Sequence, residues 1–389
     1  MCLAAIKTIP PEHRPRAWFV LFGNLRNDLN NSLKSKPKYL ELQKLKSFEE
    51  FSSQYIQNSD KEMTKRVKKE VPLIYYISLI KKDLAAMKSW FPPIENTSVK
   101  TMFLHIIFRH VLSEPQNGYF AGLAHLVVPL FLVYFSEVNN NAVKSQKVGQ
   151  ILFYEQDIKN VSVNLSKEEW NQVELKTAWS FSVLIRAVID RFDFKYYDTN
   201  LKVLLEIFGE FIKLKNPNLY EHVRPFLLTE IFKWLQHLLV RQLPMHLVIK
   251  LWDHYLSKKG GFTNLHFFDC AAILLKISEK MEELMNSNQL DFFSNIRSVL
   301  SQWTEEDIDE VIKTGMKLFN IKIYKKYLVR LKTQIKKAQK DIDEKQSVKL
   351  SEYRLERRKY YKKLAALQKK YGKTAELPSF VFKDINDDY

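Results

Sequence analysis

The side chains that could do chemistry are few and widely spread. His105, His110 and His125 are near one another in the chain. They lack the His-Glu-x-x-His spacing that turns two imidazoles toward one zinc ion, so they read as helix-face histidines and no metal site is expected. Cys2 and Cys270 are too few for a disulfide framework or a multi-cysteine zinc site. Cys270 lies in the apolar run Phe267-Phe268-Asp269-Cys270-Ala271-Ala272-Ile273-Leu274 and reads as a small core residue. The sequence carries no Gly-x-Gly-x-x-Gly turn, no Walker loop and no Gly-x-Ser-x-Gly nucleophile turn. Asp83, in Ile80-Lys81-Lys82-Asp83-Leu84-Ala85-Ala86, reads as a helix cap or local pairing partner ahead of a catalytic acid.

The elements that must position these residues read as helices. Nine glycines in 389 residues argue against an α/β fold rich in tight turns. Leu, Lys, Glu, Gln and Ile are abundant, as long helices require. Residues 101–112 place Met102, Leu104, Ile106-Ile107 and His110-Val111 on one face. Residues 227–243 place Leu227-Leu228, Ile231-Phe232, Leu235 and Leu238-Leu239 at three- and four-residue intervals, a broad core-facing stripe. Strand alternation is absent. Breaks are expected at Pro92-Pro93, 114–118, 139–146, Asn216-Pro217-Asn218 and 257–261. The longest apolar stretch, 123–135, contains His125 and Pro129 and falls short of the roughly 20 residues of a membrane span. With no secretory apolar region after Met1, a cytoplasmic or peripheral endomembrane protein is expected.

The net charge of +17 is concentrated near the C-terminus. Residues 321–370 hold 18 Lys or Arg against 5 Asp or Glu. Apolar and aromatic residues recur there at three to four, first as Ile321, Tyr324, Leu328, Leu331, Ile335, Ala338 and Ile342. A second series, Leu350, Tyr353, Tyr360, Leu364, Leu367 and Tyr371, is offset by one residue. This predicts a coiled-coil-like tail with a stutter or hairpin near Gln346-Ser347. Such a tail can lie on anionic lipid, pair with an acidic or coiled-coil partner, or stay solvated. Groove-reading and base-stacking motifs are absent, so no specific nucleic acid is expected.

The opening Ile9-Pro10-Pro11-Glu12-His13-Arg14-Pro15-Arg16-Ala17-Trp18-Phe19-Val20-Leu21-Phe22-Gly23 resembles the first motif of TBC (Rab GTPase-activating) domains. Arg14, Trp18, Leu21 and Gly23 fit its spacing, and Thr8 replaces the usual first glycine. Pro10 or Pro11 can start a helix, Trp18 and Leu21 share a face, and Gly23 can end the helix. Leu219-Tyr220-Glu221-His222, Arg241-Gln242-Leu243-Pro244 and Leu251-Trp252-Asp253-His254-Tyr255-Leu256 follow in the family's order, then the apolar 267–274 run. The resemblance covers residues 8–285 and implies an all-α domain with Trp18 and Trp252 at least partly buried. Residues 286–320 are expected to form a connecting helical segment, 321–371 the basic tail, and 372–389 an extended acidic and aromatic end.

TBC domains supply two catalytic fingers to a Rab: an arginine ending Ile-x-x-Asp-x-x-Arg and a glutamine in Tyr-x-Gln-Gly. Here Ile80 and Asp83 fit the first motif and Ala86 holds the arginine position. Tyr119 and Gly122 fit the second and Ala121 holds the glutamine position, with His125 where an acid usually follows. An arginine finger contributes roughly 10³–10⁵ in rate, and a glutamine positions the attacking water. A methyl group has no donor, acceptor or charge. Lys81, Lys82, Lys88 and Arg109 are the nearest cations, and lysine lacks the planar fork. The resemblance therefore implies a pseudo-GAP that binds a Rab-type small GTPase or serves as an adaptor in vesicle trafficking. It needs no cofactor, since any GTP and Mg would belong to the GTPase. Two other readings stay open: an active Rab GTPase activator using non-standard residues, and a helical scaffold with no GTPase partner.

Overall fold

The structure, a computed structural model, describes residues 9–33, 46–57, 71–113, 119–138, 166–188, 197–280 and 292–320, with part of 326–348. The helices are α1 (Arg14–Leu33), α2 (Phe48–Gln57), α3 (Val71–Ala86), α4 (Thr97–Ser113), α5 (Val127–Val138), α6 (Lys167–Ala187) and α7 (Tyr197–Lys215). They continue with α8 (Pro217–Val223), α9 (Phe232–Gln236), α10 (Met245–Leu256), α11 (His266–Lys280), α12 (Phe292–Ser301) and α13 (Glu305–Asn320). The described residues contain no strand, so the fold is all-α as expected.

Local chemistry sets several boundaries. Ser166 starts α6 with a capping box: its hydroxyl accepts from Glu169 N, and the Glu169 carboxylate accepts from Ser166 N. Asn216 stops α7 and caps α8, its side chain accepting from Leu219 N at 2.9 Å with Pro217 in the first turn. The break expected at Asn216-Pro217-Asn218 is therefore a junction between two helices.

One helical core sits in the unit of residues 1–332. α6 packs on α1, α2, α4 and α5, and α3 packs on α4. Trp18 and Trp252 are fully buried and stacked, with ring centroids 6.1 Å apart. Arg14, also buried, donates from Nε to both oxygens of Asp253 at 3.0 and 3.1 Å and from Nη2 to Ile9 O at 2.9 Å. Trp18 Nε1 donates to Asp253 Oδ1 at 2.5 Å. Burial pushes the Asp253 carboxyl up to about 6 against the pull of Arg14 and Trp18. This polar knot fastens α1 to α10.

Residues beyond 285 join the same core. α13 packs on α10 and α11. Lys250, buried on α10, pairs with Glu305 and Asp309 at 3.0 Å each. Gly315 of α13 lies against Asp269 of α11, where a Cβ would meet Oδ1 at 1.7 Å. The described part of the second unit, within 333–389, is helical. Gln346, the first apolar series apart from Ile342, and the second series from Leu350 lie outside the described residues, as does the 372–389 end.

Two local expectations are corrected. Gly23 does not end α1, which runs to Leu33. A glycine costs a helix interior about 1 kcal/mol, too little to break a long packed helix, and here the Trp179 ring passes 3.9 Å from where its Cβ would be. The 227–243 stripe is not one helix. It is a π-turn at Leu227–Ile231, then α9, then a non-helical turn with Leu238 and Leu239 at φ 50° and 63°. Leaving the helix buries both adjacent leucines completely, and Leu238 O accepts from Trp252 Nε1 at 3.3 Å, offsetting backbone strain. Leu228 of the stripe is exposed.

Candidate functional site

Asp83 organises the two segments singled out in the sequence. It lies one turn before the end of α3, and its Oδ2 accepts from Tyr119 Oη at 2.5 Å and from Gly122 N at 2.7 Å. These bonds draw the 119–122 loop onto the C-terminal turn of α3. Burial and the neighbouring Asp83 carboxylate hold the Tyr119 hydroxyl far above its ordinary pKa, so it stays a donor. Ile80, fully buried, anchors the same turn from beneath. Ala86 closes α3 and Ala121 tops the loop, and both are exposed. The structure thus places Ala86 and Ala121 on two segments that Asp83 ties together, each carrying only a methyl.

The loop rests on a layer of rings. Gly122 adopts φ +90°, and a Cβ there would meet His237 Nε2 at 2.2 Å. His237 Nε2 faces Ala121 O at 3.4 Å and donates in the tautomer that a carbonyl requires. Its ring is perpendicular to that of His125 at 5.0 Å, and His125 is perpendicular to Trp90 at 5.0 Å. Burial pushes both imidazoles down, His125 to about 2 and His237 to about 4, so both are neutral at physiological pH. His125 therefore belongs to a buried packing layer and carries no charge toward a partner. Its Nδ1 and Trp90 Nε1 are buried without hydrogen bonds among the described residues. Sequence spacing hinted at His125 alone. His237 and Trp90 were not singled out, because nothing local ties them to residues 119–122.

Of the nearby cations, Lys88 pairs with Glu95 at 2.5 Å. Arg109 faces α2, donating to Tyr55 O at 2.7 Å and covering the Tyr55 ring at 3.9 Å. Lys81 and Lys82 are exposed on α3. The remaining motif residues frame the core: Leu21 is buried on α1, Tyr220 packs by Gly209, and Pro244 precedes α10. Arg241 lies with its guanidinium 5.7 Å from the Trp90 ring.

Comparison with known proteins gives this all-α core and its Asp83-centred loop a family. Residues 11–285 match the Rab-GTPase-TBC domain family, and the chain belongs to that family. It is 26% identical over 316 residues to human TBC1 domain family member 22B, covering 80% of this chain and 56% of the relative. The GTPase-activating protein gyp1 of Schizosaccharomyces pombe is 24% identical over 311 residues, covering 77% and 54%. The chain spans about half the length of the curated relatives it matches. The crystal structure of the Ypt/Rab-GAP domain of Gyp1p shares the fold, with TM-score 0.61 at 21% identity over 81% of this chain and 90% of that one. No described helix is long and apolar enough to cross a membrane.

Proposed function

We propose that this chain is a pseudo-GAP: a TBC-fold module that binds a Rab-type GTPase without dual-finger catalysis, as an adaptor in membrane traffic. One observation carries the reading. The Asp83–Tyr119–Gly122 frame is complete, yet the side chains it presents at 86 and 121 are methyls. In this reading a GTPase docks on the frame, while the groups that would neutralise γ-phosphate charge and orient water are missing at 86 and 121. GTP and Mg, in this reading, arrive with the GTPase. Relatives named as GTPase-activating proteins support the partner class.

Single-turnover GTP hydrolysis by a panel of purified Rabs tests it. Wild-type protein should leave hydrolysis near its intrinsic rate while binding at least one Rab. Ala86→Arg with Ala121→Gln should accelerate hydrolysis by that Rab, since both positions are exposed on an ordered frame. Strong stimulation by the wild type, insensitive to changes at 86 and 121, would refute the pseudo-GAP reading. The tail, with 18 basic against 5 acidic residues over 321–370, suits an anionic membrane surface or an acidic helix. Removing residues 321–389 should abolish cosedimentation with anionic liposomes, and raised salt should weaken it. Liposome binding unchanged by the deletion would exclude the tail as a membrane contact.

A further inference from the structure

Arg241 reaches the ring layer of the site just described. It follows His237 by four residues, in the turn that leaves α9. Its guanidinium sits 5.7 Å from the Trp90 ring, and Trp90 follows Ala86 by four residues. Trp90 packs on His125, His125 on His237, and His237 holds Ala121 O. Arg241 therefore belongs to the ring layer that supports both finger positions. Among the described residues no carboxylate lies within ion-pair distance of it; Glu230, held by Lys233 and Arg297, attracts it only from farther off. Arg297 and Lys233 both pair with Glu230 and Lys88 pairs with Glu95, while Lys81 and Lys82 are exposed on α3. The residue is solvent-exposed, so its free N–H edges are available. An aromatic face fixes a guanidinium at little further entropic cost and leaves its planar fork for a two-oxygen acceptor.

We infer that Arg241, steadied by Trp90, receives an oxyanion of the docked GTPase and sets affinity for it. The inference rests on the pseudo-GAP reading of this same face. Two sources share the chemistry: a carboxylate of the GTPase itself, or a phosphate of its nucleotide. A charge-assisted contact of this kind contributes roughly tenfold or more in affinity.

The test measures dissociation constants of the full chain for a panel of purified Rabs, each loaded with GDP or a non-hydrolysable GTP analogue. Arg241→Gln should weaken binding about tenfold or more. Arg241→Lys should recover only part, because charge returns without the fork. Arg224→Gln, at an exposed arginine just past α8 that already pairs with Glu221, should bind as wild type does. A loss confined to the GTP-analogue complex assigns the acceptor to the γ-phosphate. An equal loss in both loaded forms assigns it to a carboxylate of the GTPase. Wild-type binding that Arg241→Gln leaves within twofold would overturn the inference while sparing the pseudo-GAP reading. A wild type that binds no Rab of the panel would overturn both. Thermal melting of each variant, expected to match wild type for an exposed side chain, separates lost contact from lost fold.

Discussion

Gly122→Ala probes the geometry on which the site depends. The backbone there is left-handed, at φ +90°, which costs an L-residue about 1–2 kcal/mol. The added Cβ would meet three atoms of the His237 ring, at 2.2, 2.6 and 3.0 Å. Ordinary contact begins near 3.5 Å, so the ring must retreat by about 1 Å. Its retreat is obstructed by His125 at 5.0 Å and Phe232 at 6.4 Å, and it would forfeit the contact with Ala121 O. Overpacking of this kind costs about 1–3 kcal/mol, giving a total of about 2–5 kcal/mol. For a domain of this size that is a melting-temperature drop of roughly 5–15 °C. Urea denaturation followed by tryptophan fluorescence reads the loss directly. A double-mutant cycle isolates its cause: with His237→Ala as background, only the backbone part, about 1–2 kcal/mol, should remain. The reasoning fails if Gly122→Ala costs the same in both backgrounds, or under about 1 kcal/mol in the wild type. The substitution should also abolish any hydrolysis gained through Ala86→Arg with Ala121→Gln, because it displaces the N–H that Asp83 holds.

Three further experiments test the buried titratable groups. Arg14→Met strands the Asp253 carboxylate and should cost about 3–5 kcal/mol by denaturant titration; adding Asp253→Leu should recover much of it, and no recovery would refute the pairing. His110, buried against Phe181, is pushed down to about 4, so the folded state takes its proton less readily than the unfolded state at about 6.5. Its contribution is fully present above pH 6.5 and declines as pH falls toward 4; His110→Phe should remove roughly 1 kcal/mol of the wild type's loss between pH 7.5 and 5.5. An unchanged pH profile would show that the imidazole titrates normally. Asp269 is fully buried, neither oxygen makes a hydrogen bond among the described residues, and burial drives its carboxyl well above the usual range against a weaker pull from Tyr255. A raised carboxyl loses stability as pH rises through its folded value, so Asp269→Asn should outlast wild type in urea at pH 8 and lose that advantage toward pH 4. An advantage that instead grew in acid would reverse the assignment.

Much of the molecule was legible in the chain because its signals are local. Periodicity over 101–112 marks a helix, and α4 spans Thr97–Ser113. Asn216-Pro217 marks a break, and one side-chain bond makes it the start of α8. The residue types at 86 and 121 alone decide that neither position offers a charge or a hydrogen bond. Gly23 and 227–243 misled for a related reason: propensity and periodicity are local, whereas helix length there follows from packing against Trp179 and Trp252.

What only the tertiary structure decided is which distant groups meet. Asp83 reaches Tyr119 and Gly122 across 36 and 39 residues, Arg14 reaches Asp253 across 239, and His237 reaches Ala121 across 116. No sequence interval encodes these meetings. They depend on how helix faces pack and on where Leu238 and Leu239 turn the backbone out of a helix. Sequence by itself determined what Ala86 and Ala121 cannot do; packing determined that they stand on one ordered frame, because a side chain's chemistry is local and its neighbours are set by the burial of the whole core.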